Sequence, residues 1–242
     1  MQNDDSESLL NEFRDVTQAK MTPRKWCWGL VSRRECSVPT WRGLLLLALL
    51  GIALTVVGVL SVHSFLAITE RVPAAVLVVE GWVPDYVLEE AGAEFQRHHY
   101  AKLYVTGGPL ETGQHLSEYK TYAELGAATL IRLGVSKNAL KAVPAPWVRQ
   151  DRTYTSAVIL RNWLRLHNAI GTNINVISLG AHARRTRLLF RMAFEDGSRV
   201  GIIAIKDRDY APDQWWQSSQ GARTVIDELV AYIYARTVFP FV

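Results

Sequence analysis

Residues 176–187 (VISLGAHARRTR) contain the side chains best suited to chemistry. A β-branched run ends at Gly180, and the helical pattern that follows contains His182, Arg184 and Arg185. A strand that ends in a small-residue turn before a helix exposes backbone N–H groups, and the helix dipole adds partial positive charge there. A structural histidine and a solvated arginine face are the alternatives. However, both arginines fall in the first helical turn, where cations oppose the dipole, so the pattern favours a bound anion.

Polar residues also follow the other predicted strands. The carboxyl ends of parallel strands lie at one edge of the sheet, so these residues should come close together. The further candidates at this edge are Gly81, Gly107, Gly108, Glu118, Asp151 and Thr153. Each has a structural alternative. A Gly-Gly pair can simply allow a tight turn, Asp and Thr are good helix N-caps, and a carboxylate suits any helix start.

The elements that would position these residues follow from the hydrophobic pattern beyond residue 70. Short β-branched runs alternate with amphipathic stretches. The predicted strands are 75–79, 103–106, 139–143, 174–178 and 200–205, and the predicted helices are 87–98, 119–133, 153–166, 183–194 and 221–236. This alternation predicts an α/β fold with a doubly wound parallel sheet of about five strands, in which ligands bind where strand ends meet loops.

Residues 43–69 predict a transmembrane anchor. The stretch contains no Asp, Glu, Lys or Arg and exceeds the roughly 20 residues that cross a bilayer. A cleaved signal peptide is the alternative, but the polar leader of 42 residues is long and no small-x-small cleavage site follows. Six basic residues and one acidic residue lie between positions 20 and 42. By the positive-inside rule the N-terminus is cytoplasmic and the C-terminal domain is extracytoplasmic, as in a single-pass plasma (inner) membrane protein.

Composition agrees with a leader (1–42), an anchor (43–69) and one globular domain (70–242). Of 242 residues with a formal net charge of +4, the part after the anchor has 20 basic and 17 acidic residues. So small an excess argues against a nucleic-acid partner and leaves the lipid bilayer and an anionic ligand as the expected partners. Cys27 and Cys36 precede the anchor, so the domain has no disulfide, and no spacing predicts a metal site.

Aromatic and apolar residues near the C-terminus do not predict chemistry. Trp215 and Trp216 lead into the last predicted helix, where such a pair more commonly covers the core than stacks on a sugar or lies at the membrane surface. Residues 238–242 are apolar and predict contact with lipid or with another subunit.

Motifs in a particular order resemble the YdcF/SanA/ElyC family of bacterial envelope proteins. They are strand-Gly-Trp, Thr-Gly-Gly, Ser-Glu, Asp-Arg-Thr-Tyr-x-Ser-Ala and Gly-Ala-His-Ala-Arg-Arg, within residues 74–205. The resemblance implies a Rossmann-like domain behind one anchor and a link to cell-envelope or peptidoglycan biogenesis. It also implies a pocket that contains Gly81, Gly107, Gly108, Glu118, Asp151, Thr153, His182 and Arg185. The first loop departs from the family's glycine-rich turn, since it reads Glu80-Gly81-Trp82.

Two classes of function remain open. In the first, the domain is an enzyme of cell-wall precursor or polyprenyl phosphate metabolism. Arg184 and Arg185 would hold a phosphate, Glu118 or Asp151 would act as a base or metal ligand, and His182 would act as an acid. In the second, the domain is a binding or regulatory module of envelope biogenesis that uses the same pocket without turnover. The sequence indicates neither a cofactor nor a substrate.

Overall fold

The computed structural model describes residues 25–26, 31–32, 39–169, 171–195 and 197–241. Residues 1–52 and 53–242 form two compact units. In the first, two short strands that the sequence did not predict, β1 (Lys25–Trp26) and β2 (Val31–Ser32), pair antiparallel. Both cysteines and most of the leader lie outside the described residues.

The helix α1 (Trp41–Leu66) corresponds to the predicted anchor. It has 26 residues with a mean hydropathy of 2.7, and it is the one described helix that is long and apolar enough to cross a membrane. The helix ends three residues before the predicted boundary at residue 69. Its last residue, Leu66, is fully buried in the second unit.

A five-stranded parallel sheet forms the centre of the second unit, with the order β5-β4-β3-β6-β7. Its strands are β3 (Val76–Glu80), β4 (Lys102–Gly107), β5 (Leu140–Pro144), β6 (Ile174–Leu179) and β7 (Val200–Ile205). The helices are α2 (Asp85–Arg97), α3 (Tyr122–Arg132), α4 (Arg152–Leu166), α5 (Ala183–Ala193) and α6 (Ser219–Thr237). Short 3₁₀ segments cover Gly180–His182, Pro212–Gln217 and Phe239–Phe241. The predicted α/β, Rossmann-like fold class is confirmed.

Alternating side chains of the central strand β3 build the two faces of the core. Val76 and Val78 pack with residues of α4 and α5, whereas Leu77 and Val79 pack with residues of α2 and α3. Because side chains alternate along a strand, Glu80 falls on the same face as Val78, although it is charged. The strand order reverses between β3 and β6, which is where doubly wound folds open a ligand crevice.

The start of α3 differs from the sequence prediction. The helix begins at Tyr122 rather than at residue 119, because Thr121 and Glu124 form a reciprocal capping box. The Thr121 hydroxyl accepts from the backbone of Glu124, and the Glu124 carboxylate accepts from the backbone of Thr121. Glu118 therefore lies in the loop before the helix, and its predicted place at a helix start is wrong.

The chain between α1 and β3 is fixed to the edge of the sheet. Glu70 and Ile202 of β7 exchange two backbone hydrogen bonds, of 2.7 and 2.9 Å. The Asn175 side chain accepts from the backbone N–H of Val72 and donates to its carbonyl, both at 2.9 Å. A Cβ at Gly201 would overlap the Asn175 side chain, so only glycine fits beside this clamp.

Candidate functional site

A cavity of about 760 Å³ opens at the carboxyl ends of β3 and β4, and we call it the pocket. Segments distant in sequence contribute to its wall: the loop before α4, the start of α5, and one face of α6. Polar groups come from Glu80, Thr106, Asp151, Thr153, Ser156, His182, Arg185 and Glu228. Apolar lining comes from Trp82, Trp147, Leu189, Ala231, Tyr234 and Phe239.

Glu80 places a carboxylate in the pocket wall at the end of β3. The residue is only 3% exposed, so its charge needs partners. Oε2 accepts hydrogen bonds from Ser178 Oγ at 2.7 Å and from Thr186 Oγ1 at 3.2 Å. Burial would raise the pKa of Glu80, but attraction to His182 and the hydrogen bond from Ser178 lower it below its usual value. Glu80 is therefore a buried anion at neutral pH.

His182 lies between two carboxylates. Its Nδ1 is 2.8 Å from Oε1 of Glu228, and its Nε2 is 3.6 Å from Oε1 of Glu80. Burial alone would lower the pKa of His182, but attraction to Glu80 and the hydrogen bond to Glu228 raise it to about 9. The indole of Trp82 stands edge-on to the imidazole, with ring centres 5.1 Å apart. His182 is thus an imidazolium at neutral pH.

Arg185 pairs with Glu228 rather than presenting all its donors to a ligand. Its Nε donates to Oε2 at 2.8 Å and its Nη2 donates to Oε1 at 2.9 Å. Nη2 also lies 2.9 Å from His182 Nδ1, so one carboxylate holds two adjacent cations together. Burial would raise the pKa of Glu228, but hydrogen bonds from His182 and Arg185 lower it to about 2.

The amino end of α4 faces the pocket without a side-chain cap. Asp151 precedes the helix in a left-handed conformation (φ 58°, ψ 34°), and its side chain makes no bond to the helix. A non-glycine residue held in that region costs about 1 kcal/mol or more. Asp151 thus occupies the N-cap position that the sequence suggested, but its side chain makes no capping hydrogen bond. The first-turn N–H groups and the positive end of the dipole are directed toward the Asp151 and Thr153 wall of the pocket.

Two buried polar atoms of the pocket wall make no hydrogen bond within the described residues. They are Thr106 Oγ1, in a residue 1% exposed, and His182 Nε2, in a residue 8% exposed. A buried polar atom without a partner costs about 1–3 kcal/mol. Both residues line the pocket, and His182 Nε2 also lies 3.6 Å from the Glu80 carboxylate.

The charges around the pocket are balanced. With His182 protonated, the cationic lining residues are Arg149, Arg152, His182 and Arg185, and the anionic ones are Glu80, Glu111, Asp151 and Glu228. Arg152 and Glu111 also form an exposed ion pair that joins the loop before α3 to the start of α4. Recognition in this pocket therefore depends on where individual donors point and not on an overall positive field.

Three predicted site residues do not line the pocket. Arg184 points instead toward α1, where it donates to the carbonyl of Phe65 and covers its ring at 4.0 Å. Glu118 is exposed in the loop before α3. Gly81 serves packing, because a Cβ there would overlap the backbone carbonyl of Tyr122.

The other predicted residues line the pocket, but their roles differ. A Cβ at Gly107 would lie 2.8 Å from the side chain of Tyr122, so this glycine also admits α3. A Cβ at Gly108 would have no neighbour closer than 3.8 Å, so its small size leaves space for a ligand. The Gly180 turn is buried against Asp207 and Tyr210 and does not line the pocket. The amino ends of α4 and α5 both lack a side-chain cap, and residues at the start of each helix line the pocket.

Sequence reasoning assigned no role to Glu80 or Glu228, which hold His182. Glu80 had a usable signal, since a charged residue directly continues a run of four buried apolar residues. Glu228 had none, because its meeting with Arg185 depends on how α6 packs against α5, 43 positions away. In the described part of the chain, no group of three or more His, Cys, Asp or Glu residues is arranged to hold a metal ion.

No match to this chain was found among family models, curated proteins or solved structures.

Proposed function

We propose that the chain is a single-pass plasma (inner) membrane protein whose extracytoplasmic domain binds a phosphate-bearing ligand in the pocket. The apolar helix α1 supports the anchor, and the basic residues before it support a cytoplasmic N-terminus. The motif resemblance to the YdcF/SanA/ElyC family supports a role in the cell envelope, in cell-wall precursor or polyprenyl phosphate metabolism.

The Thr106 hydroxyl, which makes no hydrogen bond, and the imidazolium of His182 carry this proposal. They lie in the same pocket as the uncapped amino end of α4. Phosphate oxygens accept strong hydrogen bonds from an imidazolium, a hydroxyl and helix N–H groups together. The phosphate would therefore sit between α4 and His182, and not on the Gly180 turn that the sequence favoured.

The state of His182 supports proton transfer to the bound ligand. Glu228 accepts from the Nδ1–H and fixes the ring, while the Nε2–H lies 3.6 Å from the Glu80 carboxylate, beyond hydrogen-bond distance, and is the donor available to a ligand. An imidazolium so placed can protonate a leaving oxygen, and such a general acid contributes about 100- to 10,000-fold. Asp151 supplies a carboxylate in the same pocket that can act as a base. The favoured function is an enzyme that acts at or near the phosphate.

A non-catalytic binding module is the second candidate. The observation in its favour is that Glu80, His182, Arg185 and Glu228 form an internally compensated set of two anions and two cations. Such a network can rigidify a binding pocket without any turnover.

The test of binding uses the intact protein in detergent micelles and three probes: inorganic phosphate, a nucleoside diphosphate sugar and a polyprenyl phosphate. Calorimetry should show saturable binding of at least one. Thr106→Val keeps the shape and removes the hydroxyl, so it should weaken that binding about tenfold or more, as for a hydrogen bond to a charged group. Glu118→Gln is the matched control outside the pocket and should leave affinity unchanged. Absence of binding by all three probes, or equal affinity in both variants, would contradict the proposal.

His182→Gln separates the two candidates. In an enzyme the variant should retain part of the probe affinity but fail to complement a deletion strain. In a binding module, complementation should follow affinity across all variants. A His182→Gln protein that binds and complements fully would refute the catalytic role.

A further inference from the structure

Helix α6 carries an exposed apolar stripe. Ile226, Val230 and Ile233 are 51, 61 and 51% exposed. Their spacings of four and three residues place them on one face of the helix, and we call them the α6 stripe. Large apolar side chains that share an exposed face indicate an interaction surface.

A neighbouring face of the same helix packs against the end of α1. Val225 and the partly buried Leu229 share a hydrophobic cluster with Leu66 and with Val59 and Val62 of α1. Phe65 and Tyr232 meet edge to face with ring centres 5.5 Å apart. A third face, with Glu228, Ala231 and Ala235, lines the pocket. The α6 stripe is thus separate from the pocket and lies beside the helix that could cross a membrane.

The length of α1 sets the depth of this contact. A bilayer core needs about 20 helical residues, and the uncharged stretch covers residues 43–69. Any 20-residue window within that stretch includes Val59 and Val62. The indole N–H of Trp215 donates to the Val59 carbonyl at 3.0 Å, so the domain contacts α1 at a level within the hydrocarbon-spanning segment.

We propose that the α6 stripe contacts the lipids of the bilayer leaflet on the domain's side. The exposed side chains of Val57 and Leu60 on α1 would meet the same leaflet, so lipid contact would continue from the anchor onto α6. The domain then rests on the membrane along α6 instead of hanging from a single helix. Since α6 also lines the pocket, this contact fixes the pocket at the membrane surface. This lipid contact rests on the proposed membrane anchor and not on what the pocket binds.

Spin labelling of the intact chain in phosphatidylethanolamine–phosphatidylglycerol vesicles tests the contact. Cys27 and Cys36, the two cysteines of the sequence, are replaced by serine, and single cysteines are introduced by Ile226→Cys, Val230→Cys or Ile233→Cys. Asp227→Cys is the matched control, because Asp227 is also exposed on α6 but lies off the stripe. All four positions face outward, so the labels should leave the melting temperature unchanged.

We expect labels on the α6 stripe to collide more often with oxygen than with a water-soluble nickel chelate, and the Asp227 label to show the reverse. Equal accessibility of the chelate to the stripe and to Asp227 would overturn the proposal. Spin–spin broadening on the stripe that disappears when labelled protein is diluted with unlabelled protein would also overturn it, because a second copy of the chain would then cover the stripe.

Discussion

Deprotonation of His182 should destabilise the folded protein. Its pKa in the folded state is about 9, compared with an ordinary value of 6.5. Because the folded pKa is the higher one, the stabilisation is complete below about pH 6.5 and is lost as the pH rises through about 9. At roughly 1.4 kcal/mol for each pH unit, the loss amounts to about 3 kcal/mol. That is a large part of the ~5–15 kcal/mol that stabilises a typical domain.

The assay is urea unfolding of the intact protein in detergent between pH 6 and 10, for the wild type and for His182→Gln. Glutamine retains a donor but does not titrate. The wild-type unfolding free energy should fall relative to the variant's as the pH rises, because every other titrating group contributes to both curves. Glu80→Gln, which removes the strongest attraction on His182, should move this fall to lower pH. Two results would contradict this link between His182 and stability: unfolding free energies of the wild type and of His182→Gln that change in parallel with pH, or a His182 ring that titrates near its ordinary pKa by NMR.

Three further predictions concern stability and topology. Arg185→Ala should lower the unfolding free energy by about 3 kcal/mol, because it leaves the largely buried Glu228 carboxylate short of a partner. Arg184→Ala, at a more exposed site, should cost less than about 1 kcal/mol. Urea titration at pH 7 measures both, and equal losses would contradict the pairing of Arg185 with Glu228. Gly81→Ala should lower the melting temperature strongly, since its Cβ would overlap the first turn of α3. Gly108→Ala should leave the melting temperature nearly unchanged, because its Cβ would meet no close neighbour. Similar melting temperatures for the two variants would count against these packing roles. An alkaline phosphatase fused to the C-terminus should be active, and a silent fusion beside a fluorescent cytoplasmic reporter would reverse the proposed orientation.

The fold was predictable because each of its elements has a local signal. The predicted strand 200–205 agrees with β7 in both bounds, and the other strands shift by one residue or less at each end. Buried parallel strands are continuous apolar runs, and the helices between them are amphipathic, so period and length distinguish the two. The start of α3 was missed because the sequence prediction did not use the capping box of Thr121 and Glu124, which sets it. Of the tryptophan pair that was predicted to cover the core, Trp215 is buried with Val225, whereas Trp216 is 38% exposed.

The candidate site was predictable only where its residues are close in sequence. The spacing of His182 and Arg185 placed both on one face of a helix start, and their ring and guanidinium nitrogens are 2.9 Å apart. Arg184, the next residue in sequence, points to α1 because successive helical residues diverge by about 100°. The contacts of Glu80 and Glu228 with His182 depend on tertiary packing, and of these two carboxylates only Glu80 has a local signal, its place directly after a buried apolar run.

The most direct test of the central claim is a crystal structure of the intact protein soaked with pyrophosphate. We expect an anion in the pocket, within hydrogen-bond distance of Thr106 Oγ1 and the first-turn N–H groups of α4, with a pyrophosphate oxygen also accepting from His182 Nε2. An anion bound only at the Gly180 turn or at Arg184, or a pocket that holds no anion at saturating pyrophosphate, would contradict it.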